Sequence, residues 1–222
     1  MANIDYSLAR GVAQTVAANK VLKNTYLLLA ATLGFSALTA TISVALAMPA
    51  WTYMAAVIVS MLLGIFVLPK TANSASGVGV IFGITGLLGF GLGAILNIYL
   101  SLPHGEQTVA VAFGGTAFIF LGLSAYALTS KRDFSFMGGF LFAGMMVVLI
   151  AAIANIFLAM PAISLAISSV VILLMSGFIL FDTSRIARGE EDNYIMATYG
   201  IYLSIFNIFI SLLQLLGIMG DE

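Results

Sequence analysis

Asp182 is the only acidic residue inside any long apolar run of this chain. In "FILFDTSRIARGEEDNYI" it is followed by Arg185, Arg188, Glu190, Glu191 and Asp192 before apolar sequence resumes. A carboxylate at the edge of hydrocarbon can hold a proton, hold a cation, or pair with a guanidinium one helical turn away, and Arg185 stands at i+3. Catalytic chemistry would need more. A membrane serine protease requires a base beside its serine, and Ser176 in "MSGF" has no histidine or lysine at membrane depth. An aspartyl protease needs two carboxylates, and a zinc protease needs HExxH; the chain offers neither, so it reads as no enzyme.

The asparagines inside apolar sequence are Asn97, Asn155 and Asn207. Each suits either an interhelical hydrogen bond that fixes packing or the lining of an aqueous cavity. His104 is the only histidine and sits in a short loop beside Glu106, where a lone imidazole is solvated rather than a metal ligand. No cysteine is present, which removes disulfides, thiolate metal sites and cysteine nucleophiles; no cofactor is expected. Gly79, Gly83, Gly86 and Gly93 share one helical face with small-xxx-small spacing and are expected to let a second helix approach closely. The run "GFGLGAIL" has dinucleotide-fingerprint glycines but lies within apolar sequence, without the strand and turn that fingerprint requires.

What must position these residues is a membrane. The 222 residues are 62% hydrophobic and only 8% charged, with a mean hydropathy of +1.14, whereas a soluble domain carries about 25% charged residues. A hydrocarbon core of about 30 Å takes roughly 20 apolar residues in a helix. Seven such runs stand at 25–47, 52–69, 78–100, 108–129, 137–159, 162–182 and 195–217. With backbone groups satisfied internally, the fold class is an all-α seven-transmembrane-helix bundle. Alternating strands of a barrel are absent from the sequence. On this division residues 1–24 form an N-terminal tail, polar and poor in structure signals. Residues 25–217 form the membrane domain, and 218–222 a short C-terminus. Asp5, Arg10, Lys20 and Lys23 interrupt the first stretch, so no cleavable signal peptide is expected.

Arg10, Lys20, Lys23, Lys70, Lys131, Arg132, Arg185 and Arg188 all fall on one side of this topology, which makes the N-terminus cytoplasmic and the C-terminus periplasmic. The net charge of −1 offers no footprint for nucleic acid. On the other side "AMPA" at 47–50 and again at 159–162, with Pro103 between them, marks three tight helical hairpins, because proline ends a helix. "NIYL", "NIFL" and "NIFI" at 97, 155 and 207 hint at an internal repeat. Span seven is left unpaired.

The stretch "GFILFDTSRIARGEEDNYIMATYGIYLSIFNIFISLLQLLG" resembles the Bax inhibitor-1, or transmembrane Bax-inhibitor-motif, family. So do "NKVLKNTYLLLAATLGFSALTA", "PKTANS" and "AYALTSKRDFSFMGGFL". The resemblance covers nearly the whole chain. It implies a seven-helix bundle with the last helix central. Its bacterial inner-membrane branch implies association with, and inhibition of, the membrane-anchored AAA protease FtsH. In calcium-leak members two aspartates on the last two helices share a proton, linked to an arginine on span two. Asp182 matches the first; the second falls on Ser204, and span two has no arginine. The resemblance therefore leaves a pH-sensitive cation leak as the alternative function, with its two-carboxylate switch incomplete. Asp182, Ser204, Asn207 and Arg185 are expected to form a buried polar cluster near the inner half of the bundle, with Arg185 as counter-charge to Asp182.

Overall fold

In a computed structural model the chain is described for residues 2–130 and 132–219, with side-chain surroundings for residues 16–130 and 132–218. Lys131 and the last three residues of the expected C-terminal segment lie outside the described residues. The described chain is helical, without strands, and seven helices are long and apolar enough to cross a membrane. We number them α1 (Ala2–Ala45), α2 (Trp51–Thr71), α3 (Ala75–Leu100), α4 (Gly105–Ser130), α5 (Gly138–Leu158), α6 (Pro161–Ala187) and α7 (Tyr194–Met219).

Each expected run coincides with one helix, with 25–47 overrunning the end of α1 by two residues and 137–159 overrunning α5 by one at each end. The largest difference is at the start, where α1 begins at Ala2 and the segment expected as an unstructured tail continues the first span as helix. The stretch contains no proline and only one glycine before residue 24, so nothing interrupts a helix that packing further along has already nucleated. Within α2, Leu63–Val67 widens to a π turn. Pro69 lies just beyond it, and its ring would crowd the carbonyl of Ile65 four residues back; the extra residue in the turn relieves that clash.

The three turns on the side without basic residues share one backbone device. Ala47 and Ala159, the first residues of the two "AMPA" segments, both have φ of 49°, and His104 before α4 has 59°. A left-handed residue reverses the chain at a helix end, and at Ala159 the amide closes on the Asn155 carbonyl at 2.8 Å. The proline of the second "AMPA" then opens α6, where its missing N–H costs nothing.

α7 is central. It packs against α1, α3, α4 and α6, while α2 joins through α3 and α5 through α6. The largest cluster of buried side chains gathers Leu29, Leu68, Ile81, Ile84, Ile201 and Tyr202 where α1, α2 and α3 meet α7. α5 turns Phe140, Phe142 and Phe157 outward, as a helix facing lipid does.

The expected glycine face is used only in part. Gly86 lies against Phe35 and Gly93 against Ala40 and Ser43 of α1, with Gly89 between them on Ser36 and Thr39. Gly79 and Gly83 meet nothing within 4 Å. At about 100° per residue their mean direction is rotated roughly 70° from that of 86, 89 and 93, enough to carry them off the α1 contact. The packing assignment is corrected accordingly.

Candidate functional site

Asp182 sits in the last turns of α6, half-buried, with its Oδ2 2.8 Å from the point that a side-chain carbon on Gly200 of α7 would occupy. The glycine leaves the room that the carboxylate fills. One turn along α7, the Ser204 hydroxyl donates to the Gly200 carbonyl at 3.1 Å. Thus α7 presents a bare backbone and a hydroxyl committed to its own helix where a second carboxylate would complete a proton-sharing pair. Next to Asp182, Thr183 is fully buried and its hydroxyl has no partner among the described residues.

The expected four-residue cluster does not assemble. Arg185 forms its ion pair with Glu191 at 3.5 Å, and its guanidinium lies 5.3 Å from the Phe181 ring centre. Its direct ion pair is therefore with the α6–α7 loop; among the described residues Arg185 makes no ion pair or hydrogen bond with Asp182, so the expected close pair is corrected to an attraction at longer range. The α6 helix ends two residues beyond Arg185, and the loop folds Glu191 back within its reach. Asn207 lies about 10 Å further along α7 than Gly200, at 1.5 Å per residue.

Arg188, at the C-cap of α6, organises the loops on the basic face instead. It binds Glu190 through Nε at 2.9 Å and through Nη2 at 3.1 Å, meets Asp133 at 2.8 Å, and donates to Ser184 Oγ at 2.8 Å. It also donates to the Arg132 carbonyl and to the Ser135 hydroxyl, and Ser135 in turn donates to Glu190 at 3.0 Å. The α4–α5 loop is thereby fastened to the α6–α7 loop. The Ser135 amide donates to Asp133, holding its carboxyl below the ordinary carboxylate range, and the Arg188 hydrogen bonds do the same for Glu190. Both carboxylates reciprocate by keeping the guanidinium firmly protonated, Glu190 most of all.

Asn193 forms the second junction. Its Oδ1 accepts from the amides of Ile195 and Met196 at 3.0 and 3.1 Å, capping the start of α7. Its Nδ2 donates to the Ala72 carbonyl at 3.1 Å and to Asn73 Oδ1 at 2.8 Å. The "PKTANS" and "EEDNYI" segments, 120 residues apart, therefore meet through one amide side chain.

Deeper in the bundle, Tyr202 shares a 2.8 Å hydrogen bond with Ser36 of α1 and donates to the Thr85 carbonyl of α3 at 3.3 Å. It locks three helices together. Sequence reasoning missed Arg188, Asn193 and Tyr202; the available signal was a polar group at the inward spacing of an apolar helix, or an Asn immediately before one. The other two asparagines take up packing roles. Asn97 donates to the Val44 carbonyl of α1 at 3.4 Å. Asn155 donates to Ser164 at 2.7 Å and accepts from the Met160 amide, closing its own hairpin.

Asn207 is different. It faces a cleft of about 180 Å³ on the side of the bundle, with Ile84 and Leu88 of α3 among its walls. α2 supplies Tyr53, Val57, Ser60 and Met61, and α7 supplies Tyr199, Leu203, Phe206 and Asn207. Both sets follow i, i+4, i+7, i+8 spacing, so each is one stripe of a helix. Tyr199 reaches across with its hydroxyl over Gly64, in the π turn of α2, where any side chain would collide with it. His104 is exposed, and among the described residues no three His, Asp or Glu side chains gather to hold a metal ion.

A family model described as inhibitor of apoptosis-promoting Bax1 matches residues 18–221, from α1 through α7. The chain belongs to this Bax1-inhibitor family. Among its relatives, an Escherichia coli K12 protein named modulator of FtsH protease YccA is 52% identical over 204 residues, covering 92% of each chain. A Vibrio cholerae protein named only as a membrane protein is 51% identical over 209 residues, 94% of each. One from Pseudomonas aeruginosa is 44% identical over 217 residues, 98% of this chain and 97% of its own. The Bax1-inhibitor match therefore reaches all seven helices, from residue 18 of α1 onward, and includes both loop junctions and the Asp182–Gly200 contact.

Proposed function

We propose that this protein resides in the bacterial inner membrane, N-terminus cytoplasmic and C-terminus periplasmic, and associates with and inhibits an FtsH-type membrane protease in membrane-protein quality control. It acts by association and not by catalysis. The observation that carries this reading is the 52% identity, over 92% of both chains, to a protein named modulator of FtsH protease. The architecture supports it. Arg188 and Asn193 tie the loops of the basic face into one preshaped surface, which loses little conformational freedom when a partner binds. The leak alternative has less support, because α7 faces Asp182 with Gly200 and Ser204 in place of a second carboxylate.

The test is affinity purification of the tagged protein from crosslinked inner membranes, with the full chain and with residues 2–16 deleted. Enrichment of the protease in both samples is the expected result and makes the helical bundle the docking element. Enrichment lost with the deletion would make the protein a substrate gripped by its N-terminal helix. No enrichment in either would overturn the reading.

A further inference from the structure

We propose that the cleft between α2, α3 and α7 is where a transmembrane helix of the partner docks, inserting one hydrogen-bond-donating side chain against Asn207. This rests on the association reading above and names its surface. The argument begins with depth. Asn207 is 13 residues from the start of α7 and 11 from the end of its span at Ile218, so it lies near the middle of the membrane. Its Nδ2 is spent on the Leu203 carbonyl of its own helix at 2.8 Å, and no donor among the described residues meets its Oδ1.

An amide oxygen left bare in hydrocarbon costs free energy, and there is no bulk water at that depth to satisfy it. Nor can a phospholipid do so, because only methylene and methyl groups reach the bilayer centre. A polar side chain carried at mid-depth by another membrane helix can, and such contacts hold membrane helices together. The cleft fits that occupant. At about 180 Å³ it suits one Ser, Thr, Asn, Gln or Tyr side chain and is too small for a helix. Outside it, α2 exposes Ile58, Met61, Leu62 and Ile65 as an apolar rail along which such a helix would lie.

The exposed rim makes the proposal accessible to site-specific photocrosslinking. Benzoylphenylalanine is placed at Leu62 on the rim, or at Phe157 on α5 as the control, and the full-length protein is reconstituted in phospholipid vesicles with the purified full-length protease. The expected result is a crosslink to the protease at Leu62 and none at Phe157. Asn207→Leu should lower the Leu62 yield about tenfold, the scale of one lost interhelical hydrogen bond. Met61→Trp, which plugs the mouth and leaves Asn207 in place, should do the same, so the outcome does not depend on one variant folding. A crosslink at Phe157 but not at Leu62 overturns the cleft and leaves the association standing. Undiminished yield in both variants overturns the role of Asn207, and adducts with phospholipid or a second copy alone overturn the choice of occupant. Absence of the protease from both crosslinks and from co-purification overturns the association reading and the cleft with it.

Discussion

The carboxylate of Asp182 occupies the space that a side chain on Gly200 would take, its Oδ2 2.8 Å from that point. Two helices are therefore registered against each other by one acid and one glycine. Gly200→Leu should push α6 from α7 and lower stability by about 1–3 kcal/mol, the range for overfilling a packed site. Removing the carboxylate with Asp182→Ala should recover part of that loss, and a double-mutant cycle by thermal unfolding in detergent should give a coupling above about 0.5 kcal/mol. Simple additivity would show that the two residues do not share the space.

The glycines of α3 should divide into two groups. Gly89→Ala drives a methyl into the backbone carbonyl of Ser36, which cannot move without moving α1. It should destabilise. Gly79→Ala and Gly83→Ala meet open space and should be neutral or stabilise by up to about 1 kcal/mol through helix propensity. Melting temperatures of the three variants check this.

Tyr202→Phe should cost about 1 kcal/mol, the scale of one buried hydrogen bond, because the Ser36 hydroxyl loses its partner on α7. The same substitution in a Ser36→Ala background should cost less. Equal costs in both backgrounds, measured by thermal unfolding, would separate the two residues energetically.

Asn193 has two separable jobs. Asn193→Asp keeps the acceptor that caps α7 but loses the donor to Ala72 and Asn73, whereas Asn193→Ala loses both. The alanine variant should lose about 1–2 kcal/mol from the cap alone. Hydrogen exchange should quicken at Ile195 and Met196 in Asn193→Ala and stay near wild type in Asn193→Asp.

The Arg188 junction should fail in acid. Asp133 and Glu190 have folded-state pKa values below their unfolded ones, so their contribution is complete above the unfolded values near pH 4 and drains away as pH falls through the folded ones. Cleavage within residues 132–137 by an acid-active protease should be level from pH 6 to 5 and rise below about pH 4. Arg188→Gln should raise cleavage at neutral pH and flatten that dependence. Arg188→Lys should not rescue it, because one ammonium cannot reproduce the forked contacts to Glu190 and the reach to Asp133.

Much of this protein was legible in one dimension. Whether a run of about 20 residues crosses a bilayer depends on the summed transfer free energy of those residues, a local property, and so seven spans could be read directly, whereas the first expected hairpin opens, α1 and α2 each packing on α3 and not on one another. The left-handed alanines of the two "AMPA" turns belong to the same class, since each turn is decided within a few residues of its proline. Even Asp182 could be singled out, because a lone acid in an apolar run is conspicuous without any partner.

The partners could not be read. Arg185 turned to Glu191, Asn193 joined Asn73, Tyr202 found Ser36, and Gly79 and Gly83 were left facing open space while Gly86 and Gly93 met α1. Each outcome depends on the rotation and tilt of one helix against another. Those angles are settled by all the packing contacts at once, and a rotation of a few tens of degrees reassigns every side chain on the face. The sequence by itself determined which segments enter the membrane and where the chain turns. Only the tertiary structure decided which polar groups satisfy one another and which, like the Oδ1 of Asn207, find no partner among the described residues.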